Sequence, residues 1–162
     1  MVRSRRPNRL PGFTYFGLHR YFVTCCTFNR SKVFIDALPV RTARREIERT
    51  CVEEQFAILA FCFMPDHLHL VLEGLADTSD LRRCVKIAKQ RVAYLFRRQL
   101  AVAMVWQDGY YEHVLRSDAT ADAIVRYVLD NPVRAGLVTR AELYPFSGAQ
   151  YWPEANHRMR RA

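Results

Sequence analysis

The chain has 162 residues, half of them hydrophobic, with a formal net charge of +9 and a pI near 9.7. That length suits one domain with a real core, and the composition excludes a disordered polymer. Arg carries most of the positive excess, which points to a polyanionic partner, nucleic acid ahead of an anionic membrane surface.

Residues 1–18 combine arginines (Arg5 and Arg6 among them) with two prolines and two glycines, and read as an irregular basic arm. Such an arm is either solvated or in contact with DNA. It has no apolar segment of the secretory kind, and no run of apolar residues in the chain is long enough to cross a bilayer. Five cysteines without a CxxC pair are expected to be reduced, buried and small-hydrophobic, in a cytoplasmic protein associated with the nucleoid.

His19 to Phe28 alternates and is rich in aromatic and β-branched residues, so it is a predicted strand. Asp36 can cap a helix running to about Glu54, with Val40, Ala43, Ile47 and Cys51 on its buried side. Phe56 to Met64 is unbroken apolar sequence and reads as a strand buried on both faces. Pro65-Asp66 turns the chain into a second strand, His67 to Glu73. Alternation sets His67, His69, Val71 and Glu73 on one face and Leu68, Leu70 and Leu72 on the other. The two imidazoles then point the same way, which core packing does not require and a metal does.

Asp77-Thr78-Ser79 is the expected cap of a long helix reaching about Leu100, whose stripe is Leu81, Val85, Ala88, Val92, Leu95 and Phe96. Its other side carries Arg82, Arg83, Lys86, Lys89, Arg91, Arg97 and Arg98 and no acid. A charged helix face is ordinarily only solvated, but so lopsided a set favours phosphate, with Lys89 the first choice of contact and Lys86 the next. Trp106 to Gly109 is a turn, Tyr110 to Arg116 a strand, and Ser117 or Asp118 caps a further helix stopped at Asn131-Pro132. Residues 138–162 show no period and read as a tail. His19, His113 and His157 are expected to be structural.

The order strand, helix, strand, strand, helix, strand, helix gives an α+β fold. Its βαββαβ antiparallel sheet is ferredoxin-like or RRM-like, with two helices on one face and an added C-terminal helix. The histidines belong on the face left open. On the added helix Tyr127 and Asn131 lie one turn apart beside the apolar stripe of Ile124, Val125, Val128 and Leu129, so the phenol and the amide can both approach that face.

Three stretches in order carry a resemblance: Phe63-Met64-Pro65-Asp66-His67-Leu68-His69, Trp106-Gln107 with Tyr110 to His113, and Tyr127 to Gly136. Together they resemble the HUH single-tyrosine transposases, and within them the REP-associated tyrosine transposases, over about residues 13–137. The resemblance implies a metal-dependent enzyme that nicks and rejoins single-stranded DNA near palindromic hairpins through a 5′-phosphotyrosine. It implies Tyr127 as nucleophile and His67 and His69 as ligands of Mg²⁺ or Mn²⁺. Asn131 would be the third ligand, with Asp66 and Glu73 as alternatives. Arg5, Arg6, Arg82, Arg83, Lys86, Lys89, Arg97 and Trp106 are the expected DNA contacts, with Tyr110 or Tyr111 as alternative nucleophiles, or else as base-stacking or core residues. A monomer is expected, a homodimer being the alternative. The competing reading is an inactive hairpin- or single-strand-binding module with an RRM-like sheet, without membrane attachment in either case.

Overall fold

Alternation in the first strand sends its side chains into two different layers. In β1 (Arg20–Cys26) Tyr21, Val23 and Cys25 point to one side and Phe22 to the other, all buried, as expected for a strand covered on both faces. A computed structural model describes residues 12–149. The expectations for Arg5, Arg6, His157 and the end of the tail lie outside the described residues.

After β1 come α1 (Ala37–Glu53), β2 (Phe56–Met64), β3 (His67–Gly74), α2 (Leu81–Gln99), β4 (Tyr111–Leu115), α3 (Asp118–Arg134) and β5 (Ser147–Ala149). The sheet order is β4-β1-β3-β2-β5, with every pairing antiparallel. The first four strands have the predicted ferredoxin-like arrangement, and β3, which carries the histidines, is central. The tail is not without structure: Ser147 to Ala149 pairs with the free edge of β2. A Cβ at Gly148 would come 3.0 Å from the Phe61 ring, so a larger residue there would push that ring aside.

Helices α1 and α2 close one face. Val40, Ala43, Ile47 and Cys51 meet Leu81, Val85, Ala88, Val92 and Phe96 over Val23, Cys25, Leu68, Leu70 and Leu72. Asp80 rather than residues 77–79 caps α2, its carboxylate accepting from the Arg82 and Arg83 amides at 2.9 and 3.2 Å. Ser79 is committed elsewhere, donating to the Gln55 carbonyl at 2.8 Å. The described end of the N-terminal arm is docked: Tyr15 is buried in this core, its carbonyl accepts from the Leu81 amide, and Gly17 runs against β3. A Cβ at Gly74 would lie 2.1 Å from the Gly17 carbonyl oxygen, so that crossing requires glycine.

The second face holds α3. Ala121, Val125, Val128 and Leu129 pack on Phe22, Ala60, Cys62, Met64, Val71 and Leu115. A register shift between Ile58 and Ala60 reverses the alternation of β2, so Phe56 and Ile58 before it and Phe61 and Phe63 after it face α1 and α2, while Ala60, Cys62 and Met64 face α3. Pro132 does not stop α3, which runs to Arg134 with Pro132 buried in its last turn. The stop is Gly136, at φ +69°: its amide bonds to the Val133 carbonyl and that of Leu137 to the Pro132 carbonyl, the paired bonds of a Schellman cap. No helix among the described residues is long and apolar enough to cross a membrane.

Candidate active site

Centre strand β3 places His67 and His69 on the α3 side. Their Nε2 atoms are 3.1 Å apart and the rings nearly perpendicular, at 80°. Each ring is held by its other nitrogen. Nδ1 of His67 meets the Asp66 carboxylate at 2.6 Å, and Nδ1 of His69 meets the Thr24 hydroxyl of β1 at 2.9 Å. Arg30 pairs with the second Asp66 oxygen at 3.2 Å. A carboxylate only accepts, so the Asp66 contact keeps the proton of His67 on Nδ1 and leaves the Nε2 lone pair directed at its neighbour. Burial, with His67 and Arg30 adding to it, pushes His69 down to about 3, so at neutral pH that imidazole is uncharged and able to act as a ligand.

Tyr127 approaches from α3. Its ring centroid is 6.2 Å from that of His69 and 6.0 Å from that of Phe22, and Phe22 itself stacks on His69 at 5.3 Å. Arg134, two turns along the helix, sets its guanidinium 5.2 Å over the tyrosine ring. The tyrosine is 36 % exposed, so its side chain reaches solvent beside the histidine pair. One turn on, the Asn131 amide donates to the Tyr127 carbonyl at 2.7 Å.

The chemistry of this pair fits a divalent ion. Two nitrogens bound at right angles to one ion at about 2.1 Å lie about 3.0 Å apart, close to the observed spacing. Among the described residues no group of three or more His, Cys, Asp and Glu side chains stands where it could hold a metal ion. Asp66 is engaged in holding His67, and Glu73 is drawn away by Arg20, which donates to it at 2.6 Å and also binds Asp118.

The other expected site residues are scattered. Lys89 is not free for phosphate: its ammonium donates to the Gln107 and Gly109 carbonyls at 2.8 and 2.5 Å, and burial lowers its pKa. It lies on the closed side of the sheet, around a cavity of about 20 Å³ lined also by Cys25, Cys51, Cys84 and Trp106. Trp106 is half-buried and packs against Phe34 at 5.5 Å. Arg82 lies over Tyr15 and Arg83 pairs with Glu54, whereas Lys86 and Arg97 are exposed on α2, across the sheet from the histidines. Burial raises the Cys25 and Cys62 thiols to about 11 and about 12, so both stay protonated, and all five cysteines are free. Thr24 and Phe22 were missed as parts of the site. Their signal was their own alternation in β1, but using it required knowing that β1 lies beside β3.

A family profile described as "Transposase IS200 like" matches residues 15–131. A Haemophilus influenzae protein provisionally named a REP-associated tyrosine transposase is 28 % identical, over 88 % of this chain and 88 % of its own. The REP-associated tyrosine transposase of Escherichia coli K12 is 30 % identical over 64 % of this chain and 61 % of its own. Among solved structures, a REP-associated tyrosine transposase bound to a REP hairpin superposes with a TM-score of 0.73. It is 21 % identical and covers 86 % of this chain and 81 % of that one, which is a likeness of fold.

Proposed function

The chain belongs to the IS200-like transposase family, in its REP-associated tyrosine branch, and on that premise we propose that it cuts and rejoins single-stranded DNA beside hairpins. The observation that supports this reading best is the meeting of two imidazoles and one solvent-reaching phenol on the same sheet face.

In this reading Tyr127 Oη attacks the scissile phosphorus and the bond from phosphorus to the 3′-oxygen breaks. The products are a 5′-phosphotyrosine and a strand ending in a 3′-hydroxyl; the phenol loses one proton and the departing oxygen gains one. Attack by a second 3′-hydroxyl reverses the step on a new partner and regenerates the phenol, so the phosphodiester is conserved without a nucleotide cofactor. His67, His69 and the Asn131 oxygen would hold Mg²⁺ or Mn²⁺, which when bound offsets charge on the phosphate oxygens. Asp66 and Thr24 fix the tilt of the two rings. A phenol is a poor nucleophile until it gives up its proton, and the Arg134 guanidinium over the Tyr127 ring is a cation placed to assist. The tyrosine stands beside the histidines of its own chain, which favours a site complete in one monomer.

The test is covalent labelling. Protein with Mn²⁺ and a labelled single strand flanking a hairpin should form a denaturant-resistant adduct; chelation should prevent it, and Tyr127→Phe should abolish it while strand binding persists. An adduct retained in Tyr127→Phe would exclude Tyr127 as nucleophile. In the alternative reading, a binding module without catalysis, no metal would produce an adduct.

A further inference from the structure

Helix α3 covers the sheet unevenly. It lies chiefly over β2 and β3 and covers β1 and β4 at Phe22 and Leu115, so what stays open next to the histidines is the part of the face at Thr24 and Tyr111. On that open part the register sets one straight row across the strands: Tyr111 of β4 opposite Thr24 of β1, Thr24 opposite His69 of β3, and His69 opposite Cys62 of β2. Strands are spaced by about 4.8 Å, so the Tyr111 backbone lies about 10 Å from that of His69. His113 stands one row on, opposite Phe22, and is exposed.

Tyr111 is 53 % exposed, a large aromatic on an edge strand whose alternate residues Glu112 and Val114 are buried. Its ring meets Phe22 in a T-shaped contact at 6.3 Å, and among the described residues no other ring and no cation lies on it. Phe22 in turn touches both Tyr127 and His69. Its neighbour Tyr110 is different, half-buried and packed on the closed core. Trp106, the residue whose type best suits stacking, is also used in that core.

We propose that Tyr111 is the platform on which an unpaired nucleobase stacks, holding the nucleotide next to the scissile phosphate while the phosphate itself faces His67, His69 and Tyr127. This rests on the single-strand reading given above. The row geometry puts the base and the phosphate on one lane, open at Thr24 and Tyr111 and bounded on the other side by α3. An exposed phenol ring accepts any base, so the contact fixes position and not sequence. Tyr111 is a positioning residue: it touches the substrate away from the bond that breaks.

The experiment uses the full chain carrying Tyr127→Phe, with fluorescein-labelled oligothymidylate and an equally long abasic strand as probes, followed by anisotropy. Stacking on one aromatic corresponds to about 5- to 150-fold in binding. The parent should therefore prefer the strand with bases, Tyr111→Leu should shrink that preference at least about 5-fold, and Tyr111→Phe should restore it. Binding of the abasic strand should be the same in all three, which a folding defect would not allow. A Tyr111→Leu protein with the parent's full preference overturns the assignment and leaves the single-strand reading intact. A folded parent that binds neither strand overturns both.

Discussion

The two faces of the sheet are built from the same strands and do different work. Towards α1 and α2, every inward residue of β1 and β3 is apolar, the helices meet over them, and Phe34, Phe63 and Phe96 interlock with centroids 5.2 and 6.0 Å from Phe34. Towards α3, the same strands contribute Thr24, His67, His69, Arg20 and Glu73, and the single helix leaves part of them open. The closed face gives nearly every position to packing, with the Lys89 ammonium, held by two carbonyls, as an exception. The other keeps polar groups at positions a core would fill, and their hydrogen bonds to one another make that tolerable.

This division predicts that stability and chemistry separate by face. The largest effect on folding is expected from Phe34→Ala, which removes a fully buried ring touching three other aromatics and should cost about 3–5 kcal/mol. Tyr127→Ala, on the other face, should cost less than about 1 kcal/mol while removing all covalent adduct. Urea unfolding followed by far-ultraviolet circular dichroism checks both. A Tyr127→Ala protein as unstable as Phe34→Ala would mean that α3 is as much a part of the core as α1 and α2.

Next in size is the support of the imidazoles. Thr24→Val and Asp66→Asn keep shape but alter the partners of His69 and His67. Each should weaken Mn²⁺ binding about 10- to 100-fold, as outer partners of metal-binding histidines generally do. Calorimetric titration of Mn²⁺ measures it, with thermal unfolding as the control. Smaller again is Ser117→Ala, which removes the hydroxyl that accepts from the Thr120 amide at 3.1 Å at the start of α3. It should lower stability by about 1 kcal/mol. If the faces are independent, hydrogen exchange should speed up in α3 and not in α1.

Sequence reading did better where one period decides the outcome. Val40, Ala43, Ile47 and Cys51 follow from helical spacing, and Leu68, Leu70 and Leu72 from alternation; each lies where its pattern put it. The side shared by His67 and His69 follows from the same rule. What alternation could not supply is which strand sits alongside, so Thr24 and Phe22 stayed invisible until β1 was placed beside β3. The end of α3 was misjudged because Pro132 looks like a stop, whereas the last turn accommodates it and the left-handed backbone at Gly136 ends the helix. Strand β5 has no alternation in Ser147-Gly148-Ala149 and exists because β2 has an edge to pair with.

Lys89 is the residue for which charge alone misled, and it gives the finest test of the comparison. Seven cations on one helix invite phosphate at each, yet the Lys89 ammonium is turned inward to two carbonyls of the segment leading into β4. A phosphate contact on a single strand contributes about 0.7 to the slope of log affinity against log salt. Lys89→Met should therefore leave that slope unchanged and instead lower stability by about 1–2 kcal/mol, because the two carbonyls lose a charged donor. Lys86→Ala is the companion: its ammonium is exposed on the same helix, so if α2 lies against the strand the slope falls by about 0.7 while stability holds. A Lys89→Met protein whose slope drops like that of Lys86→Ala would show that the inward bonds open for DNA, and that the closed face also takes part in binding.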